Sequence, residues 1–182
     1  LNGQNTLWLR QIASGRVSKV AAAENLEYRS PRFSADGEFI NFLSPKDGQG
    51  HSYDLYRISI YGGAARRIVS GINDYAVAPD GVQIAYFRTD HDAKICQLLT
   101  ADPEGRDEKP ISAREKPNCY GVLTYAADGR TILSTVGGSD TGGENTEIIE
   151  TNAANGDVKS FTSERWITIR EMVSLPEKKG II

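Results

Sequence analysis

The sequence predicts an all-β fold, a stretch of β-propeller built from four-stranded antiparallel blades. Three observations predict it. An Asp-Gly turn recurs, and its glycines, Gly37, Gly81 and Gly129, advance by 44 and 48 residues. Each turn is flanked by short runs rich in strand-forming residues. Eighteen glycines against a single Met favour many tight turns over long helices.

The first half of each repeat reads as a hairpin. Pro31-Arg32-Phe33-Ser34-Ala35-Asp36-Gly37 leads into Glu38-Phe39-Ile40-Asn41-Phe42-Leu43. Tyr75-Ala76-Val77-Ala78-Pro79-Asp80-Gly81 leads into Val82-Gln83-Ile84-Ala85-Tyr86-Phe87, and Leu123-Thr124-Tyr125-Ala126-Ala127-Asp128-Gly129 into Arg130-Thr131-Ile132-Leu133-Ser134. Asp-Gly suits a turn because Gly accepts positive φ and Asp bonds its own backbone. A degraded fourth copy, Val173 to Gly180, ends 51 residues beyond Gly129.

The second half is another hairpin. Asp54 to Ile60 turns at Tyr61-Gly62-Gly63 into Ala65 to Val69. Lys94 to Thr100 turns near Asp102-Pro103-Glu104-Gly105, and Thr146 to Thr151 turns near Asn155-Gly156-Asp157 into Val158 to Phe161. Alternation is visible where Leu55, Arg57 and Ser59 oppose Tyr56, Ile58 and Ile60. The N-terminus carries only this half, in Leu7 to Ile12, Ser14-Gly15 and Val17 to Val20. Ala21 to Leu26 is too short for a stable helix.

Each unit therefore holds four strands, A to D, in half a blade at 1–23, whole blades at 29–70, 74–113 and 119–163, and half a blade at 166–182. The terminal halves are complementary. They could close a four-blade ring in one shared sheet, or the chain is an arc of a larger ring, the preferred expectation. Self-association through the open half-blades is a third way to cover those edges.

Composition sets the remaining bounds. Hydrophobic residues make up 39% and charged residues 25%, as expected of a globular protein rather than a disordered one. Net charge is −3 with no basic patch beyond Arg66-Arg67, which disfavours nucleic acid. Cys96 and Cys119 lack metal-type spacing; they could pair, but two buried free thiols are the expected state. No apolar run is long enough to cross a bilayer and no signal peptide opens the chain. The ends, Leu1 and Ile181-Ile182, read as cut from a longer protein.

Phe33-Ser34-Ala35-Asp36-Gly37, Ile40-Asn41-Phe42, Asp54-Leu55-Tyr56 and Gly62-Gly63-Ala64-Ala65-Arg66-Arg67-Ile68 together resemble the TolB-type propeller repeat, a relative of Trp-Asp repeats. The second blade keeps Ala78-Pro79-Asp80-Gly81 and the third only Asp128-Gly129. The Gly-His and Trp-Asp marks of true Trp-Asp repeats are absent. The resemblance covers nearly the whole chain. It implies settings such as periplasmic TolB, propellers capping prolyl-peptidase-type hydrolases, and sensory halves of bacterial serine/threonine kinases and transcription regulators. The opening Asn5-Thr6-Leu7-Trp8-Leu9-Arg10-Gln11-Ile12-Ala13-Ser14-Gly15 is most similar to the kinase- and regulator-linked group.

Chemistry is sparse. The Asp-Gly pairs read as turns rather than calcium ligands, since separate blades do not converge their oxygens. His51 and His91, with Asp54, Asp90 and Asp92 nearby, follow no known ligand pattern. Ser139-Asp140-Thr141-Gly142-Gly143-Glu144-Asn145 is a polar loop without the helix a phosphate cradle needs. No Gly-x-Ser-x-Gly elbow and no kinase signature occurs. No catalytic, metal or cofactor residues are assigned.

Binding is expected where D-to-A crossovers and B-to-C loops share one face at the channel mouth. That face would carry Tyr28 and Arg29, then Asn73, Asp74 and Tyr75, then Asn118 and Tyr120, then Arg165 and Trp166. Arg and aromatic residues are common anchors. The competing expectation is that Tyr75, Tyr120 and Trp166 pack between blades. The function expected is a non-catalytic sensing or binding module for a protein or small ligand, attached to a bacterial signalling protein such as a serine/threonine kinase. The alternatives are a gating propeller of a hydrolase and a TolB-like periplasmic scaffold. An extracytoplasmic location is favoured.

Overall fold

The computed structural model describes residues 5–23, 26–46, 52–137, 146–175 and 180–181. All regular structure among them is β. The chain divides into two compact units, Leu1–Gly71 and Ile72–Ile182.

In the first unit, β1 (Asn5–Arg10) and β2 (Val17–Ala23) form a two-stranded antiparallel sheet. Then β3 (Arg29–Phe33), β4 (Phe39–Pro45), β5 (Tyr53–Ser59) and β6 (Arg66–Ile72) form a four-stranded sheet in sequence order. Phe42 is fully buried, with Tyr28 tilted against it at 4.8 Å and Tyr56 stacked at 5.6 Å. Val20, Ile40 and Ile58 complete this core, so the β1–β2 hairpin and the blade share one apolar layer. Burying a side chain such as Phe42 contributes roughly 2–3 kcal/mol.

In the second unit, β7 (Asp74–Val77), β8 (Ile84–Asp90), β9 (Ile95–Ala101) and β10 (Lys109–Glu115) form one blade. The next is β11 (Tyr120–Tyr125), β12 (Thr131–Val136), β13 (Glu147–Asn152) and β14 (Val158–Ser160). Every pairing is between sequence neighbours and antiparallel, as hairpin connections require. The two blades share one core, in which Ala76, Ala78 and Ala85 lie with Leu123, Tyr125 and Ile132. Small residues on β7 and β8 let the larger side chains of β11 and β12 approach.

The Asp-Gly turn is the same object three times. Gly37, Gly81 and Gly129 have φ of 74°, 74° and 66°. Their N–H groups donate to the carbonyls of Ser34, Ala78 and Ala126 at 3.0, 2.9 and 3.0 Å. Each is a tight turn closed by a left-handed glycine, the kind that joins antiparallel strands. The aspartates cap it: Asp36 Oδ1 accepts from Glu38 N, Asp80 Oδ1 from Val82 N, and Asp128 Oδ1 from Arg130 N and Thr131 N. Ser34 donates to Asp36 as well, which holds that carboxyl below its ordinary range. Beyond β14 the degraded fourth copy survives as a bridge between Ser174 and Ile181, with Leu175 N donating to Gly180 O at 2.8 Å.

One expectation is corrected. Cys96 and Cys119 are not free thiols; they form a disulfide, with Cα atoms 5.5 Å apart. Cys96 is fully buried on β9, and packing of the two blades brings the crossover residue Cys119 against it. Spacing along the chain, 23 residues, gave no hint of that approach.

Candidate binding face

Strand direction decides which loops meet. In an antiparallel four-stranded blade, the A–B and C–D turns lie at one end and the B–C loop and D–A crossover at the other. Arg29 shows this in the first unit. It opens β3, and its Nη1 donates to the hydroxyl of Tyr53, the first residue of β5, at 3.0 Å. Its guanidinium lies 5.4 Å from the centre of the Tyr53 ring, and its Nε donates to Glu27 Oε2 at 2.7 Å. Glu27 is itself tied to β4, its N–H donating to Ser44 Oγ at 3.0 Å. The Glu27 hydrogen bond, helped by Tyr53, raises the already high Arg29 pKa, so the charge is permanent. The next residue, Ser30, has φ of 47°, an uncommon value for a non-glycine residue. Arg29 is thus exposed, charged and held in one place. Tyr28 turns inward onto Phe42.

In the second unit most of the expected residues do other work. Asp74 Oδ2 accepts from Leu123 N at 2.9 Å, tying β7 to β11. Tyr75 is fully buried, and Tyr120 is 4% exposed, tilted against Phe87 at 6.1 Å. Burial pushes the Tyr120 hydroxyl pKa up. Asn118 is exposed; its carbonyl accepts from Arg114 Nε at 2.8 Å. Near it, Lys116 Nζ lies 3.1 Å from His91 Nδ1, so a B–C turn meets the crossover here too. Arg165 reaches Glu147 Oε2 at 2.5 Å with nearly half its side chain exposed. Trp166 is half-buried beside Leu133, Ile148 and Met172, and its backbone pairs with Thr146 in both directions at 2.9 Å.

The acidic groups weighed as chemistry are structural. Buried Asp54 accepts from Ser70 Oγ at 2.7 Å, Gly71 N at 3.2 Å and Arg67 Nη1 at 3.2 Å. Asp90 Oδ1 caps its own turn through Asp92 N and Ala93 N. His51 and the 139–145 loop lie outside the described residues. Among the described residues, no three His, Cys, Asp or Glu side chains gather as a metal ion would need.

No protein-family model and no curated protein matches the chain. Solved structures do. TolB from Acinetobacter baumannii aligns at a TM-score of 0.65 and 21% identity, over 86% of this chain and 37% of that one. The chain has the fold of part of a β-propeller. An oligogalacturonate lyase in complex with manganese aligns at 0.69 and 16% identity, over 94% of this chain and 48% of that one. The propeller domain of the Trilobed protease from Pyrococcus furiosus aligns at 0.58 and 20% identity, over 86% of this chain and 47% of that one. Likeness at these identities concerns the fold. The chain spans about 37% of the TolB structure's length.

On this propeller the sequence reading named Arg29, Asn118 and Arg165 but missed Tyr53 and Glu27, which hold Arg29. Tyr53 carried a usable signal, because strand C begins at the same end of the blade as the crossover.

Proposed function

We propose that this chain is a non-catalytic propeller module that binds a protein or small ligand at the blade end that carries its D–A crossovers and B–C loops. The observation that carries the reading is Arg29, a permanent cation locked by Glu27 and Tyr53 and left open to solvent. A pre-positioned guanidinium loses little freedom on binding and suits a carboxylate or carbonyl. Asn118, Lys116 and Arg165 supply exposed polar groups at the corresponding ends of the second unit's blades.

An extracytoplasmic setting is part of the proposal, supported by the Cys96–Cys119 disulfide, since such bonds persist in oxidising compartments. Attachment to a bacterial signalling protein such as a serine/threonine kinase rests on the resemblance of the opening segment. A second reading, a propeller gating a hydrolase, is favoured by likeness to the Trilobed protease domain and to an acylaminoacyl peptidase, the latter at a TM-score of 0.56 and 14% identity over 87% of this chain and 28% of that one. An upstream kinase or DNA-binding domain would support the first reading, and a downstream α/β-hydrolase domain the second.

The site is tested with a partner captured on the wild-type chain and then measured by direct titration. Arg29→Ala should weaken that titration about tenfold or more, while Glu38→Ala, exposed at the opposite end of the blade, should leave it unchanged. Equal affinity for wild type and Arg29→Ala overturns the assignment.

A further inference from the structure

The end of the first unit opposite Arg29 holds a crevice of ≈ 500 Å³ between the turn that joins β1 to β2 and the turn that follows β5. Strand β5 starts at Tyr53 and ends at Ser59. At about 3.3 Å per residue it puts this crevice roughly 20 Å from the Arg29 cluster. We infer that the crevice binds an acidic saccharide.

The lining chemistry carries the inference. Among the described residues, Arg16 and Lys19 border the crevice, no carboxylate does, and neither cation forms an ion pair. Gln11 is oriented to match: its Oε1 accepts from Ser14 Oγ at 2.6 Å, which leaves the amide's Nε2 as the group to offer. The Ser18 hydroxyl adds another donor. Two cations with neutral donors beside them suit a carboxylate-bearing ligand, Arg16 by its planar fork and Lys19 as a point charge.

Tyr61 makes the ligand a ring. It borders the same crevice with 82% of its surface exposed, beside the half-buried Ile60 and Leu9. Such an aromatic face, ringed by hydrogen-bond donors, suits a sugar ring, apolar on its C–H face and polar at its edge. The wall is firm. Gly62 and Gly63 hold φ of 93° and 108°, Tyr61 N donates to Ser59 Oγ at 3.2 Å, and a Cβ on Gly62 would meet the Val20 carbonyl at 3.2 Å. The Tyr61 turn therefore lies directly on β2, and the crevice volume is within the range of small-ligand sites.

The test titrates the chain with digalacturonic acid, and with maltose as a neutral disaccharide of similar size, following backbone amide shifts. Digalacturonic acid is expected to shift residues of the two turns. Its affinity should fall about tenfold or more in the Arg16→Ala/Lys19→Ala double variant and several-fold in about 0.5 M salt, where exposed charges are screened. Tyr61→Ala should also weaken it, while Arg29→Ala should not. Unchanged thermal unfolding of the double variant shows that the fold is intact. Equal binding of maltose, full affinity in the double variant, or no shift at millimolar ligand overturns the inference. So does citrate binding as tightly as digalacturonic acid with no effect of Tyr61→Ala, which leaves only unspecific anion attraction.

Discussion

Strand A of the first unit, β3, and strands A of the second, β7 and β11, hold the same place in the repeat and are used differently. Along β3 only Arg32 is even half-buried, whereas β7 and β11 are buried or half-buried along their whole length. In the second unit β7 lies against β11, so residues at the start of strand A are spent on joining blades: Asp74 bonds Leu123 N, and Tyr120 packs on Phe87. At the far end of β11, Tyr125 donates to Oε1 of Gln83, in the turn before β8, at 2.9 Å. In the first unit the start of β3 holds Arg29 out to solvent. One repeat position serves as a blade-to-blade joint in the second unit and as a display site in the first.

The disulfide offers the largest break in that comparison. Cys96→Ser/Cys119→Ser should lower stability by about 2–4 kcal/mol, because the bond closes a loop in the unfolded chain. Urea unfolding with and without reductant measures it. The loss should appear as opening of amides in β7 to β14 by hydrogen exchange, with β3 to β5 little changed. Equal loss of protection in both units would show that the two do not differ in how they are held.

Asp74→Ala comes next. It removes the hydrogen bond that ties β7 to the buried Leu123 and should cost about 1–3 kcal/mol. Arg29→Ala, at the same end of strand A, breaks an exposed ion pair worth less than about 1 kcal/mol. Thermal unfolding of the two variants side by side should separate them clearly, and equal shifts would erase the distinction between joint and display.

Acid sharpens the contrast further. Glu108 is partly desolvated, which acts to raise its pKa, but hydrogen bonds from Arg88 at 2.7 Å and Tyr86 at 2.5 Å win and hold it below its ordinary 4.5. A carboxyl depressed in the folded state contributes stability that is present above pH 4.5 and is lost as pH falls below it. Glu108→Gln should therefore flatten the decline in unfolding midpoint on acidification below that pH. Tyr86 shifts the opposite way: burial, then its bond to Glu108, pushes the hydroxyl far above its ordinary range, so it stays a donor. A decline of equal slope in Glu108→Gln would assign the acid sensitivity elsewhere.

The smallest effect concerns a glycine. Gly121 has an ordinary φ, yet a Cβ there would collide with Thr135 Oγ1, the hydroxyl that also accepts from Val122 N at 2.9 Å. Because the Thr135 side chain can rotate away, Gly121→Ala should cost only about the one hydrogen bond it breaks, near 1 kcal/mol.

The sequence alone determined the strands and their order. Alternation, Asp-Gly turns and a repeat of more than 40 residues are local or periodic signals, and pairing between sequence neighbours follows from short hairpins. That is why Asp36, Asp80 and Asp128 read correctly as turn residues. Tertiary structure decided which polar and aromatic residues stay at the surface, because blade packing joins residues far apart in sequence. It drew Asp74 to Leu123, 49 residues away, paired Cys96 with Cys119, and buried Tyr75 and Tyr120. It also set Tyr53 beneath Arg29, 24 residues apart, a contact fixed only when strands A and C begin at one end of a folded sheet.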